Sequence, residues 1–319
     1  MPLTKLAFLS GISVSAVSLL PPSQVCNWRH RVKSECFGIG GVNKIRRLSV
    51  RSASRDGSAS VGLDTTFPRD YVELLEQAKE AAKLALEDKI QLMEIEFPTA
   101  GLESVPGDGE GGIEMTGSMQ LIREFCDRFI VPEKATRTRI FFPEANEVEF
   151  ARNSTFGGSS LKLDYLTKPS LFEDFGFVTK VKMADRVKPD DELFLVAYPY
   201  FNVNEMLVVE ELYKEAVVNT ARALIVFNGE LDRIRSGYYP PFFYPKLATL
   251  SKTFLPKLET VYYIHNFKGR NGGILFRQVH NSAFSIYFVF CSCEKYICLH
   301  QQEDMPSLKE VALSILPMA

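Results

Sequence analysis

Two kinds of apolar pattern alternate along the chain. Residues 68–88 place apolar side chains at helical spacing, which predicts an amphipathic helix, whereas residues 91–97 alternate as a strand does. Residues 192–197 and 223–227 are short, continuously apolar runs, and residues 203–218 between them have a helical pattern. Continuous apolar strands separated by helices are typical of a parallel sheet that is buried on both faces.

The remaining pattern completes this picture. Further helices are predicted at 115–129, 144–152 and 307–316, and further strands at 139–142, 161–166, 258–266, 274–277 and 295–300. The runs at 258–266 and 274–277 resemble a closing hairpin around the turn at 269–273. We therefore expect a three-layer α/β fold, with a mostly parallel sheet flanked by helices and an antiparallel C-terminal edge. Residues 67–319 would form this single domain.

The charge changes sharply near residue 55. Residues 1–55 contain nine Lys/Arg and one acid, Glu35, whereas the rest of the chain holds 28 Lys/Arg and 38 Asp/Glu. A basic, Ser-rich leader with almost no acid is typical of an organelle import sequence. A secretory signal is the competing reading, but Ser and Gly interrupt its apolar core. We expect a transit peptide at 1–53 and a flexible lead-in at 54–66.

The composition of residues 56–319, here called the body, limits the functions that the protein can have. The acidity of the body disfavours nucleic acid as a partner, because a phosphate backbone would be repelled. The apolar and charged fractions are those of an ordinary globular protein, and the six cysteines give no disulfide framework. No stretch of the mature chain is apolar enough to span a bilayer, so membrane attachment should be peripheral. We expect no catalytic set, cofactor or metal.

Two motifs could suggest ligands, and both are better explained otherwise. Residues 107–112 read GDGEGG, but Asp108 and Glu110 put negative charge where a dinucleotide phosphate would sit. Cys291, Cys293 and the pair Cys298 and His300 offer soft zinc ligands, although their spacing fits no structural zinc pattern. An acidic loop and buried or incidental thiols are the preferred interpretations.

The loop after the strand at 223–227 is the first candidate site. Loops that leave the carboxyl ends of parallel strands are where α/β proteins bind ligands. Asn228, Glu230, Asp232 and Arg233 lie there and form the candidate ligand loop, within the range 228–235. The alternative is a local turn in which Asn and Gly satisfy the backbone and the charges pair with each other.

Aromatic residues cluster at two strand exits and form the second candidate site. Exposed Tyr and Phe make good contact surfaces for a protein partner. The candidate contact residues are Tyr198, Tyr200, Phe201, Tyr238, Tyr239 and Phe242. If they share one edge of the sheet, they would form an apolar patch suited to a partner.

Longer segments carry a family resemblance. They are FPRDYVELLEQAKEAAKLAL, QLMEIEFPTAGLESVPGDGEGGIEM, IFFPEANEVEFA, LDYLTKPSLFEDFGF, ELFLVAYPYFNVNEMLVVEELY and VFNGELDRIRSGYYP. Together they resemble a plant and cyanobacterial family that is defined by a domain of unknown function. The resemblance covers 67–277 and resumes at 295. It carries over no catalytic residue, because none is established for the family.

The resemblance implies a role and an address. The role is photosystem II assembly, in which the protein helps to incorporate the chlorophyll-binding antenna protein CP43. The implied partners are CP43 and a membrane-bound sister assembly factor, and the implied location is the chloroplast, in the stroma or peripherally on the thylakoid membrane. A small-molecule-binding α/β enzyme that uses the loop 228–235 is the alternative function.

One segment departs from the family pattern. Residues 278–294 read QVHNSAFSIYFVFCSCE, which is apolar and contains cysteines. Two explanations stay open on sequence alone. The segment is either a divergent strand or the product of a wrong exon boundary in the gene model.

Overall fold

The computed structural model describes residues 67–104, 111–167, 183–199, 205–268, 272–290 and 295–318. The leader and the lead-in, residues 107–110, Tyr200, Phe201, Cys291 and Cys293 lie outside these ranges. The strands in chain order are β1 (Leu92–Glu96), β2 (Thr138–Glu144), β3 (Lys162–Thr167), β4 (Leu193–Ala197), β5 (Ala223–Phe227), β6 (Glu259–Phe267), β7 (Gly273–Arg277), β8 (Phe284–Phe290) and β9 (Lys295–Gln302).

Helices connect and cover these strands. They are α1 (Tyr71–Glu87), α2 (Gly111–Phe129), α3 (Pro132–Ala135), α4 (Ala145–Asn153), α5 (Met183–Arg186), α6 (Glu205–Leu212), α7 (Asp232–Arg235), α8 (Pro245–Thr253) and α9 (Leu308–Glu310). π-helical turns continue α6 over Tyr213–Val217 and α9 over Val311–Ile315, and 3₁₀ turns lie at Leu255–Lys257 and Leu316–Met318. Within the ranges above, no helix is long and apolar enough to cross a membrane.

One sheet unites the strands in the order β3-β2-β4-β5-β1-β6-β7-β8-β9. From β3 to β6 all neighbours are parallel, and from β6 to β9 all neighbours are antiparallel. The central strands β1 and β5 are buried along their whole length. The continuous apolar run of β5 predicts this burial, whereas β1 contains Glu94 and Glu96 and was predicted as an alternating strand. The predicted fold class is therefore confirmed.

Local sequence explains why the first helix forms and where it packs. Asp70 caps α1, because its side chain accepts a hydrogen bond from the Glu73 amide at 2.8 Å. The face with Leu74, Leu75 and Ala78 is buried in a core that also includes α2 and α4. Helices α6 and α8 contribute to a second core on the opposite face of the sheet.

The connections open crevices at one edge of the sheet. The chain leaves β1 and β2 toward the face that α2 and α4 cover, and it leaves β4 and β5 toward the face of α6 and α8. Strand β2 is next to β4, and β1 is next to β5. Within each of these two pairs, the loops that follow the strands therefore run to opposite faces of the sheet. Such points at the carboxyl ends of strands are where α/β sheets form binding sites.

Strand β8 and helix α8 are two of the elements that the sequence prediction did not place. Strand β8 lies inside the segment 278–294, which the sequence left between two explanations, and it pairs with β7 and β9 on its two sides. Phe284 and Ile286 of this strand are buried. Helix α8 was not predicted, because the prolines and aromatic residues before it resemble a loop, although Pro245 occupies the favourable first turn.

Candidate functional site

The loop after β5 is held against β1 by Asn228. Its amide donates to the Ile95 carbonyl at 2.8 Å, and its side-chain oxygen accepts from the Phe97 amide at 2.9 Å. Its φ of 49° lies in the left-handed region, which Asn tolerates better than most residues. Asn228 is buried. It therefore ties two strands together, and it is not among the residues that line the cavity beside this loop.

A buried ion pair anchors the helical turn α7. The guanidinium of Arg235 binds both carboxylate oxygens of Glu94, with one N–O distance of 2.9 Å, and Thr260 donates to the same carboxylate at 3.0 Å. Burial would lower the pKa of Arg235, but the charges of Glu94 and Asp232 outweigh it and raise that pKa. Because Glu94 is fully buried, this pair fixes the position of the loop relative to β1.

Three of the four predicted loop residues meet at a small cavity. Its volume is about 210 Å³, and it is lined by Glu96, Glu230, Asp232, Arg233, Ser236, Tyr238, His265 and Leu308. Arg233 pairs with Glu230 at 2.6 Å, and the Tyr263 hydroxyl donates to the Asp232 carboxylate. The charges thus pair locally, as the alternative interpretation of this loop expected, and they also border a cavity.

Glu96 and His265 give the cavity its acid–base character. Burial raises the pKa of Glu96 well above its ordinary value, and the nearby charges of Glu94, Glu230 and Asp232 add to this effect. Burial lowers the pKa of His265 to about 4. The carboxyl of Glu96 therefore holds its proton to a higher pH than an ordinary glutamate does, and the imidazole of His265 is neutral at neutral pH.

The sequence prediction missed both of these residues. Glu94 and Glu96 lie two residues apart in a strand that is buried along its length. Two acids in an otherwise apolar strand are unusual, and this could have been used as a signal. His265 gave no such signal, because its place beside the loop depends on β6 pairing with β1.

The cavity can hold only a small group. Ligand sites usually measure about 300–1,000 Å³, so 210 Å³ suits a single side chain or a few atoms. A protonated Glu96 could donate a proton there. Among the described residues, no three His, Cys, Asp or Glu side chains are arranged to hold a metal ion. Cys298 and His300 are both exposed on β9.

The predicted aromatic surface divides into a buried and an exposed part. Tyr198 is fully buried in the core beside Phe142, which contradicts its prediction as a partner contact. The run Tyr238–Tyr244, here called the aromatic segment, is different. Phe242 is 87% exposed, and Tyr238 and Phe243 are each 72% exposed. Tyr239 is half-buried, with edge-to-face contacts to Tyr238 and Tyr244. The aromatic segment is an exposed apolar surface of the kind that partners cover.

Another buried acid lies at the crevice between β2 and β4. Glu147, in the first turn of α4, is buried, and its burial raises its pKa to about 7, with a further contribution from Glu144. In the unfolded chain this carboxyl ionises near 4.5. The native protein therefore binds more protons than the unfolded chain between these values, and its stability falls as pH rises from about 4.5 to about 7.

We expect Glu147→Gln to remove this loss. The variant should equal the wild type near pH 4 and exceed it above pH 7 by about 1–2 kcal/mol, allowing for partial solvation of the carboxyl. Denaturant unfolding at a series of pH values measures the difference. Glu149→Gln, at an exposed position of the same helix, is the control and should change stability by less than about 0.5 kcal/mol at any pH. Parallel pH curves for wild type and E147Q would contradict the expectation.

Residues 68–313 match a family model described as a domain of unknown function, DUF1995. The chain belongs to this family. The match to DUF1995 runs from the start of α1 past the end of β9, so it includes the cavity and the aromatic segment. No curated protein matches the chain. No solved structure matches it either.

Proposed function

We propose that this protein is a photosystem II assembly factor that assists incorporation of the antenna protein CP43 and acts by protein contact. The chain belongs to the DUF1995 family, whose description gives no function, so the proposal is supported by the resemblance of its segments. Within that family, the segments quoted above resemble the chloroplast low photosystem II accumulation protein 3. The proposed location is the chloroplast, in the stroma or peripherally on the thylakoid, and a membrane-bound sister assembly factor is the second proposed partner.

The exposed aromatic segment is the observation that favours contact over catalysis. Large aromatic side chains contribute most of the binding free energy at protein interfaces, and exposing them to water has no benefit for a free monomer. Tyr238 and Tyr239 combine an apolar ring with a hydroxyl, which suits the edge of an interface. We assign these two residues to the contact surface.

A second candidate function is favoured by the cavity. A small-molecule-binding α/β enzyme could use Glu230, Asp232 and Arg233 to hold a ligand and Glu96 to donate a proton. Glu96→Gln would preserve the size of the side chain and its ability to donate a hydrogen bond, but it could not transfer a proton. This substitution therefore separates the enzyme from the contact protein.

One experiment tests both candidates. Tagged chains are expressed in a plant line that lacks the protein, and CP43 that co-purifies from solubilised thylakoids is measured. We expect the double variant Y238S/Y239S to lose most of its CP43, because it removes two rings from the contact surface. E96Q and the matched surface variant F150S should retain it. Loss with E96Q together with full retention in Y238S/Y239S would instead favour the enzyme.

A further inference from the structure

The tip of the aromatic segment consists of Phe242 and Phe243, here called the wedge. Phe242 and Phe243 are 87% and 72% exposed and pack edge to face, with ring centroids 5.2 Å apart. The amides of Phe243 and Tyr244 both donate to the Pro240 carbonyl at 3.0 Å, which closes the turn that carries the two rings. Unlike the tyrosines, these side chains have no polar atom. Their preferred environment is therefore fully apolar.

The sequence around the wedge is basic, whereas residues 56–319 as a whole are acidic. Residues 233–258 contain five Lys/Arg and no Asp/Glu, whereas residues 56–319 as a whole contain 28 and 38. Two of the five are arginines paired with Glu230 and Glu94. The other three, Lys246, Lys252 and Lys257, are exposed on α8 and the turn after it. A hydrocarbon tip is thus followed by a cationic surface on an acidic protein.

We propose that this surface docks on an anionic lipid bilayer, with Phe242 and Phe243 inserted among the acyl chains and the lysines near the headgroups. Exposed hydrocarbon and exposed cations that are close in the sequence match the two layers of such a membrane surface. An apolar protein partner would bury the rings but would not interact favourably with the lysines. A nucleic acid would attract the lysines but would not bury the rings.

The inference rests on the proposed function only for the identity of the membrane, which would be the thylakoid. It assigns Phe242 to lipid and leaves Tyr238 and Tyr239 to face CP43. A peripheral protein docked in this way would be held at the surface in which its membrane-embedded partner is inserted. Lipid binding itself requires no CP43, so the two proposals can fail separately.

The position of the wedge is tested with a local probe. The chain's one tryptophan, Trp28, is replaced in W28F/F242W, which leaves a single tryptophan at the tip. We expect vesicles of phosphatidylcholine and phosphatidylglycerol with brominated acyl chains to quench its fluorescence. The matched control is W28F/F150W, because Phe150 is also an exposed phenylalanine, 45% exposed on α4. Equal quenching at both positions, or none at the tip, would overturn the proposal.

The energetics are tested by co-sedimentation with the same lipids without bromine. All variants are made in the full chain, so residues 1–55 contribute equally. F242S/F243S should weaken binding about tenfold or more relative to F150S. Each of K246Q, K252Q and K257Q should weaken it about fivefold at low salt, with no effect on pure phosphatidylcholine vesicles. Unchanged binding in F242S/F243S would contradict the wedge.

CP43 in detergent distinguishes the two proposals. If F242S/F243S no longer binds vesicles but still binds CP43, the result supports both the lipid docking and the proposed function. If wild type binds vesicles through the wedge but never binds CP43, lipid docking stands and the proposed function fails. If F242S/F243S loses CP43 while its vesicle binding is unchanged, the wedge is a protein contact and the lipid proposal is wrong.

Discussion

Replacing Arg235 with methionine is expected to lower the free energy of unfolding by about 3–5 kcal/mol. The substitution removes the partner of Glu94, whose carboxylate is fully buried in the central strand β1 and would then carry an uncompensated charge. Only the Thr260 hydroxyl would still donate to it among the contacts described above. Equilibrium denaturation in urea at pH 7 measures the loss.

Arg233 supplies a matched control two residues away. It also pairs with a glutamate, Glu230, but the Arg233 side chain is 44% exposed, whereas that of Glu230 is 8% exposed. Water therefore reaches this pair from the arginine side, and R233M should cost less than R235M. Losses of similar size for R233M and R235M would show that the buried pair is not what fixes the loop.

The double variant E94L/R235M tests whether the unpaired charge of Glu94 causes the loss of stability in R235M. Removing both charges leaves no buried ion to solvate, and apolar side chains of similar volume often replace such a pair without loss. We expect the double variant to recover most of the stability that R235M loses. A double variant as unstable as R235M alone would mean that packing around Arg235, rather than the charge of Glu94, determines the cost.

The buried pair also explains which part of the site the sequence could predict. Glu230, Asp232 and Arg233 were predicted because they directly follow an apolar strand, and position along the chain is visible in one sequence. Glu94, Glu96 and His265 join them through the pairing of β1 with β5 and β6, which brings together residues more than 130 positions apart. No local pattern carries that information. The composition of a strand can show an unusual acid, but it cannot name its partner.

The aromatic residues show the same limit on a smaller scale. Tyr198 and Tyr238 both follow sheet strands and lie next to tyrosine and proline in sequence, so the pattern treated them alike. Tyr198 enters the core at the end of β4 with a φ of 33° and packs beside Phe142. Tyr238 lies in a loop that α7 and α8 carry outward, where no core residue covers it. Burial, which decides between contact and core, followed from topology rather than from composition.

Strand β8 is where sequence reasoning and structure differ most, because the segment 278–294 had two explanations and the fold uses it as an interior strand. Ile286 is fully buried there, beside a cluster that includes Tyr263, Leu275 and Phe284. We expect Ile286→Ala to destabilise the protein by about 2–5 kcal/mol, because it opens a cavity between β7 and the C-terminal helical turns.

Ile297 offers the same side chain in the opposite environment. It lies on the edge strand β9 and is 49% exposed, so Ile297→Ala should change stability by no more than about 0.5 kcal/mol. Urea unfolding of the two variants side by side compares one deletion at a buried and at an exposed site. Equal and small effects would mean that residues 284–290 do not form part of the sheet, which would return the segment to the explanation of a wrong exon boundary. A large loss for Ile286→Ala alone means that the antiparallel edge depends on this divergent strand, because β9 reaches the rest of the sheet through β8.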